Sequence, residues 1–446
     1  MTERIFIIKF GEIFLKSKQT QKKFLKFLKS SLQKKWIRKI QNRSSYLLVY
    51  GDIDVKEIIN IFGVYSVEEI KRFDYRDDKI DDVFIEIRDF LVDTVDFTTK
   101  EAFTIDVRRE HKVFPMISPD IKLKLAKLIT EKTDKYLNYK KFDIKLFLRV
   151  VKNEIWVWTS LEASKWVWGL PYGIEWKTLI WFSGGIDSPV ASYLLAKRGV
   201  AQDFLLLNIP WSEYLTYNVY DVYQSIREKY GIFGRFFVLD VRNLINNIKD
   251  NTPSGYRQMI FKTFLYKIMD NVSSSFSYNS FAVWENLWQV STQTLTNMEI
   301  LDKVSSKLIL RPLLCYEKRE IIDIAEELGS LSYSNKIKET CNIENHSNAH
   351  AKYAKIVDLQ KNIDINIDEL IKNGLYEFQY NEEERKKLYE LRVESDEWRE
   401  KIDLTDFRWD LELEINKKYV FVCPSSYNAS YYAIRYSKLG YDVRFL

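Results

Sequence analysis

The sequence predicts an α/β multidomain protein. Two small α+β domains stand at the head, a doubly wound parallel sheet follows, and a small α/β unit closes the chain. Three observations predict this. The 446 residues, 46% of them hydrophobic, suffice for two to four cored domains at roughly 100–200 residues each. From residue 178 onward, strand-like apolar runs alternate with helical stretches, as in a parallel sheet covered on both faces. Within that region Leu179-Ile180-Trp181-Phe182 runs straight into a glycine turn that opens a helix near Pro189.

In chain order, residues 4–10 read as a strand. Residues 17–35 read as a basic amphipathic helix with Phe24, Leu25, Phe27, Leu28 and Leu32 on its apolar side. Strands at 45–50 and 65–71 complete a domain ending near 75. Strands at 102–108, 143–150 and 154–160 and a helix near 119–137 form the second α+β unit. Gly169-Leu170-Pro171-Tyr172-Gly173 is turn-like and marks a boundary. The parallel sheet takes strands at 178–182, 203–208, 235–240, 279–283 and 307–310, with a helix at 317–328. Residues 345–380 are polar and Asn-rich and read as a linker with helical pieces. The tail has a strand at 419–422, a Cys-containing loop and a helix at 430–438.

Composition removes several function classes. No run of 18 apolar residues exists, so no membrane span is expected, and the start lacks a signal-peptide layout, which points to the cytoplasm. Cys315, Cys341 and Cys423 are too few for a disulfide scaffold or a four-cysteine zinc site, and the three histidines add no resident metal site. His346 and His350 have i, i+4 spacing without further ligands. Net charge is +5, yet residues 1–50 carry 13 Lys/Arg against 2 Asp/Glu, and residues 361–410 carry 9 against 15. A basic head on a near-neutral body suits a polyanion such as RNA, or is simply a solvated lysine face.

Ser183-Gly184-Gly185-Ile186-Asp187-Ser188 is the strongest local signal. Glycines let main-chain N–H groups approach phosphate oxygens, and the helix start adds partial positive charge. The pattern is not GxxxxGK[ST]. Instead Ser-Gly-Gly-x-Asp-Ser resembles the pyrophosphatase-type (PP) loop of enzymes that cleave ATP between the α and β phosphates.

Around this loop, Trp166-Val167-Trp168-Gly169-Leu170-Pro171-Tyr172-Gly173 and Pro189-Val190-Ala191-Ser192-Tyr193-Leu194-Leu195-Ala196-Lys197-Arg198-Gly199 resemble the tRNA 4-thiouridine synthetases, or tRNA sulfurtransferases (ThiI-like). Gly11-Glu12-Ile13-Phe14-Leu15-Lys16, Arg108-Arg109 with Phe114-Pro115-Met116-Ile117-Ser118-Pro119, the segment Glu285–Leu295, Leu310-Arg311-Pro312-Leu313 and Lys318-Arg319-Glu320-Ile321-Ile322 follow in the family's order. The resemblance implies five regions. They are a ferredoxin-like domain (1–75), a THUMP RNA-binding domain (76–170), a PP-loop ATP-pyrophosphatase domain (171–344), a linker (345–384) and a rhodanese-like domain (385–446).

It also implies the reaction: ATP, with Mg2+, adenylates O4 of uridine 8 in tRNA, and persulfide sulfur replaces that oxygen. ATP contacts carry over to Trp181, Phe182, Ser183, Gly184, Gly185, Asp187, Ser188, Lys262, Trp284 and Gln293. Asp187 is the loop acid, placed to help hold magnesium or orient phosphate. For Lys262 a solvated helix lysine is the competing reading. Implied partners are tRNA, a cysteine desulfurase as persulfide donor and a ThiS-like sulfur-carrier protein for thiazole synthesis. A homodimer is compatible with the reading.

Sulfur transfer needs a nucleophilic thiolate and a second thiol to release the sulfur. Cys423 ends an apolar strand and begins Pro424-Ser425-Ser426-Tyr427-Asn428-Ala429, which resembles a rhodanese loop. Ser426 stands where glycine is common and Ala429 where serine is common. Cys341 matches the family's second catalytic cysteine, which implies a transient Cys341–Cys423 disulfide. Cys315 reads as core.

Glycine is only 14 of 446 residues, about 3% against a usual ~7%. Trp166, Trp168, Trp176, Trp284 and Trp288 fall where the family has glycine. One reading is that the gene decodes UGA as glycine; the other is true divergence with a repacked site. Two further alternatives stay open at this point: a tRNA-binding paralogue that has lost catalysis, and a different ATP-pyrophosphatase such as an amide ligase.

Overall fold

A computed structural model describes residues 4–34, 37–43, 46–52, 54–76, 79–159, 167–210, 212–338, 343, 347–395, 399–404 and 411–446. Cys341, Trp166 and His346 lie outside the described residues. The chain forms two compact units, Met1–Pro171 and Tyr172–Leu446.

The first unit is built on one eight-stranded sheet. Its elements are β1 (Ile5–Phe10), α1 (Lys18–Gln33), β2 (Lys39–Asn42), β3 (Leu47–Tyr50), α2 (Val55–Ile59), β4 (Val64–Asp74), α3 (Ile80–Thr94), β5 (Ala102–Arg109), α4 (Ser118–Thr133), β6 (Tyr136–Leu137), β7 (Ile144–Val151) and β8 (Glu154–Thr159). The strand order is β2-β3-β1-β4-β8-β7-β5-β6. The long strand β4 joins the two halves. Its first part pairs with β1 (Phe10 opposite Val64, Ile5 opposite Ile70), and its end pairs with β8 (Lys71 opposite Val157).

Helix α1 starts at Ser17, whose hydroxyl accepts the Thr20 N–H. Phe24, Leu28 and Leu32, four residues apart, are buried, while Lys18, Lys22, Lys23 and Lys26 face solvent. Helix α3, which the sequence reading did not name, buries Phe84, Ile87 and Leu91 with Ile121, Leu125 and Ile129 of α4. Arg109, at the end of β5, donates to the carbonyl of Met116 at 3.0 Å and so pins the loop in which Val113 and Ile117 are exposed.

In the second unit the sheet strands are β9 (Glu175–Trp181), β10 (Val200–Asn208), β11 (Phe236–Asp240), β12 (Ser280–Ala282), β13 (Leu308–Leu310) and β14 (Leu375–Glu377). Between them come α5 (Asp187–Lys197), α6 (Glu213–Tyr230), α7 (Arg242–Asn251), α8 (Arg257–Ser275), α9 (Leu295–Lys303), α10 (Lys318–Leu328), α11 (Leu331–Ser334), α12 (Tyr353–Gln360) and α13 (Ile367–Gly374). The sheet order is β13-β12-β9-β10-β11-β14, parallel except for β14. Both faces are covered, so β10 reads as the unbroken buried run Phe204-Leu205-Leu206-Leu207. The chain winds from β9 through β10 to β11 on one side and through β12 to β13 on the other. The crevice at the carboxyl ends of β9 and β12 is therefore the switch point where such sheets place ligands.

Within residues 345–384, expected as a linker, the described stretch from α12 to β14 is part of this body. Ile356, Leu359 and Ile363 join its core, and β14 pairs antiparallel with β11, Tyr376 opposite Val238. The polar composition misled because α12 buries only Ile356 and Leu359, and α13 only partly buries Ile367, Leu370 and Ile371.

The tail adds α14 (Glu382–Glu390), β15 (Glu400–Asp403), β16 (Lys418–Val422), α15 (Tyr427–Lys438) and β17 (Asp442–Phe445), with a parallel three-stranded sheet in the order β15-β16-β17. It packs on α6. Tyr214 lies among the rings of Tyr389, Tyr427 and Phe445, and the buried hydroxyls of Ser212 and Ser430 meet at 2.8 Å. Among the described residues no helix is long and apolar enough to cross a membrane.

Candidate functional site

The phosphate loop follows β9 directly. Gly184 has φ +77, and a Cβ there would lie 2.5 Å from Ile337 Cδ1 and 2.9 Å from Val219 Cγ2, so only glycine fits. The Ser188 hydroxyl accepts the Gly184 N–H at 3.0 Å, and the Ser183 hydroxyl accepts the Gly185 N–H at 3.4 Å. At Gly185 a Cβ would meet only Ser183 Oγ, at 3.6 Å, so the absent side chain leaves the loop's wall open. Asp187 begins α5 and is buried. Its Oδ1 accepts Lys318 Nζ at 2.6 Å, and its Oδ2 accepts Gln289 Nε2 at 2.9 Å. Lys318 is the first residue of α10 and is part-exposed, which places a cation at the mouth of the loop.

The predicted ATP residues separate into two groups. Trp181 and Trp284 meet across the crevice, their rings 4.6 Å apart and tilted by 32°. Gln293 is buried with its Oε1 unpartnered, and both indole Nε1 atoms are also buried without a partner. Trp181 ends β9 and Trp284 follows β12, so buried groups with unused hydrogen-bonding capacity stand close to the switch point. Phe182 differs: its ring packs edge-on against Phe204, Tyr223 and Phe236 in the core, which leaves only its main chain for a ligand.

Lys262 is no solvated helix lysine. It is 4% exposed and donates to Glu285 Oε1 at 3.0 Å. Glu285, fully buried after β12, also accepts Arg311 Nε at 3.1 Å and the hydroxyl of Tyr266. Burial alone would raise the Glu285 carboxyl, but Lys262 and Arg311 overcome it and hold it below the ordinary glutamate range. The Tyr266 hydroxyl is pushed well above its usual range by burial and by Glu285. Sequence reading missed the roles of Glu285, Arg311, Lys318 and Gln289. Each lay inside a quoted motif, but no local pattern says which residue a side chain will meet.

The 284–293 segment closes on itself. Trp288 N–H donates to the Gln293 carbonyl at 2.9 Å, and Gln293 N–H to the Val290 carbonyl at 2.8 Å. Trp288 has φ +60 and is 64% exposed; Trp168 has φ +55 and is 51% exposed. A bulky residue in the left-handed region is an outlier, whereas glycine is at home there. Trp176 is also exposed, on β9.

Cys423 follows β16 and is 6% exposed. Its Sγ accepts the Ala429 N–H at 3.4 Å and lies 3.9 Å from Ser425 Oγ, at the amino end of the 12-residue helix α15. Ser426 has φ +63, so the serine adopts the turn that glycine would take. Cys341 lies outside the described residues, as do 339 and 340, but Ile337 and Lys338 are described. Ile337 touches Gly184, the Lys338 N–H donates to Tyr427 Oη at 3.1 Å, and Lys338 Nζ donates to the Pro424 carbonyl at 2.6 Å.

Cys315, expected in the core, is exposed. The turn after β13 buries Leu313 and points the residue two positions on outward. Among the described residues no cluster of three metal-ligating side chains exists, and His350 lies by the Trp288 ring.

The family model described as "Thiamine biosynthesis protein (ThiI)" matches residues 173–365, and that of the THUMP domain matches residues 78–159. A tRNA sulfurtransferase of Desulfurococcus amylolyticus is 28% identical over 375 residues, 80% of this chain and 75% of its own. A probable tRNA sulfurtransferase of Malacoplasma penetrans is 30% identical over 336 residues, 73% of this chain and 85% of its own. A 4-thiouridine synthetase solved in complex with RNA and ATP superposes with a TM-score of 0.73 at 21% identity, over 84% of this chain and all of that one.

Proposed function

The chain belongs to the tRNA sulfurtransferase family, and we propose that it uses ATP to convert uridine 8 of tRNA to 4-thiouridine. The observation that carries this reading is the segment Ile337–Lys338. It touches the phosphate loop at Gly184 and the Cys423 loop at Pro424 and Tyr427, so one short stretch serves both chemistries.

In the first half-reaction, O4 of the uridine attacks the α phosphorus of ATP and pyrophosphate leaves. The Ser183–Ser188 loop and the start of α5 bind phosphate, and Lys318, paired with Asp187, supplies a cation beside it. Lys262, aimed by Glu285 and Arg311, and Gln293 hold the nucleotide at the switch point. Asp187 is ion-paired with Lys318 at 2.6 Å, and among the described residues no three metal-ligating side chains cluster, so the residues present do not fit a resident Mg2+. The ion enters with the phosphates of its ATP substrate.

In the second half-reaction the terminal sulfur of a Cys423 persulfide attacks C4, and AMP departs with the former O4. The Cys341 thiolate then attacks Cys423 Sγ, the Sγ–S bond breaks, and its electron pair stays with the sulfur on C4. Two thiols are oxidised to a disulfide while the transferred sulfur is reduced, and a cellular thiol reductant reopens the disulfide. A cysteine desulfurase is the persulfide donor, and a ThiS-like carrier is a second outlet. The lysine face of α1 and the Arg109-pinned loop of the first unit supply sequence-independent phosphate contacts to the tRNA.

We infer further that residues 168 and 288 are glycine in the native protein, and residues 166, 176 and 284 with them. What supports this is backbone geometry at the first two and the unpartnered indole at the switch point for Trp284. Glycine at 284 would remove the ring that now lies against Trp181, and the catalytically lost paralogue is not favoured. The function is tested by supplying tRNA, ATP and a persulfide donor and measuring 4-thiouridine against AMP. One AMP per thiolated nucleoside is expected; tRNA binding with no 4-thiouridine from the glycine-bearing chain overturns the reading. The mass of the native 284–293 peptide decides the glycine assignment.

A further inference from the structure

Resting on the relay reading above, we propose that Lys338 is a positioning residue for sulfur transfer, clamping the segment that leads to Cys341 onto the loop of Cys423. Two independent bonds make the clamp. The main-chain N–H of Lys338 donates to Tyr427 Oη, and its Nζ donates to the carbonyl of Pro424, the neighbour of Cys423. Tyr427 is a rigid anchor: its ring is buried against Tyr214 at the start of α15, whose Ala429 N–H points at Cys423 Sγ. On the other side, Ile337 fills the space over Gly184, so the clamp point cannot drift away from the phosphate loop.

A purely structural role explains these bonds poorly. The tail is already held on α6 by the buried Ser212–Ser430 pair, by Tyr389 Oη on Asn218 Oδ1 at 2.5 Å and by Arg385 on Asp221 at 2.8 Å. Lys338 is exposed, and its side chain adds nothing to a core. What it does add is a fixed point three residues before Cys341. Three residues of extended chain span at most about 10 Å. The thiol that must attack Cys423 Sγ is thereby confined to a small volume, and its effective concentration rises. Loss of the clamp should slow the attack with no change in either loop.

The test is single-turnover sulfur transfer by the full chain. Cys423 is loaded with persulfide, tRNA and ATP are added, and the Cys341–Cys423 disulfide is followed by non-reducing peptide mapping. Lys338→Met and Tyr427→Phe should each slow disulfide formation, and the double variant should slow it roughly tenfold or more. Lys338→Arg, which can still reach the Pro424 carbonyl, should restore most of the rate. The KM for ATP and the rate of persulfide loading should stay at wild-type values. Disulfide formation at the wild-type rate in the double variant overturns the clamp. So does an equal fall in loading and in transfer, which would mean that the tail had merely loosened. Wild-type turnover without any disulfide overturns the relay itself, and the clamp with it, so the two failures are distinguishable.

Discussion

The phosphate loop and the persulfide loop have the same plan. Each leaves a parallel strand (β9, β16), turns through one residue of positive φ and enters a helix (α5, α15). They differ in how tightly that turning residue is specified. At Gly184 the surroundings forbid a Cβ, because Ile337 and Val219 close over it. At Ser426 the backbone is equally left-handed, yet a side chain is carried. On the proposed function, the first loop must present bare main chain to a large anion, whereas the second has to cradle only a sulfur. Packing, not the turn itself, makes one glycine obligatory and the other replaceable.

The largest expected effect separates the two loops by chemistry. Cys423→Ala and Cys341→Ala should each abolish thiolation while tRNA binding and the release of pyrophosphate persist. Normal 4-thiouridine formation by either variant would break the division of labour. Next comes the steric contrast within the phosphate loop. Gly184→Ala forces a Cβ into Ile337 and should lower kcat/KM for ATP by at least ~100-fold, while Gly185→Ala, with ordinary φ and an open side, should cost far less. Equal losses at both positions would mean that packing over Gly184 is not what makes that glycine obligatory.

Much of the phosphate loop was legible because it is local: strand, Ser-Gly-Gly-x-Asp-Ser and helix are consecutive, and their geometry follows from their own backbone. The rest of the site was not. Lys318 reaches Asp187 from 131 residues away, and Lys262, Glu285 and Arg311 come from three separate segments after the sheet folds. Periodicity can place Lys262 on a helix but cannot say that a buried carboxylate waits opposite. Residues 345–384 were misjudged for the same reason: β14 becomes a strand only because the free edge of β11 lies beside it. Cys315 was misjudged because an apolar run suggests burial, while a turn reverses direction within two residues.

The buried charge cluster sharpens the contrast on the phosphate side. Glu285 is held below its unfolded pKa, so its pairing stabilises the fold above the ordinary glutamate range, and that contribution is lost as pH falls through and below it. Glu285→Gln leaves two buried cations with a neutral partner and should cost about 3 kcal/mol at neutral pH. The variant's stability should then fall less steeply than wild type on acidification. Denaturant unfolding at several pH values measures both effects, and an unchanged acid limb would mean that Glu285 is not the group that titrates.

The smallest effect concerns the third left-handed residue near the active site. Trp288, like Ser426, carries a side chain at positive φ, but an indole costs more there than a serine, whose short polar side chain suits tight turns. The Trp288 side chain is mostly in solvent, so removing it sacrifices little burial. Trp288→Gly should therefore release about 1–2 kcal/mol of backbone strain, less the extra freedom that glycine gives the unfolded chain. The net expectation is a rise in Tm of roughly 2–4 °C. Ser426→Gly, starting from a better-tolerated residue, should gain less. This ordering follows if position 288 was shaped around glycine and position 426 was not. A fall in Tm for Trp288→Gly would mean that the indole is a fitted part of the loop, and the assignment of glycine to the native protein at 288 would fall with it.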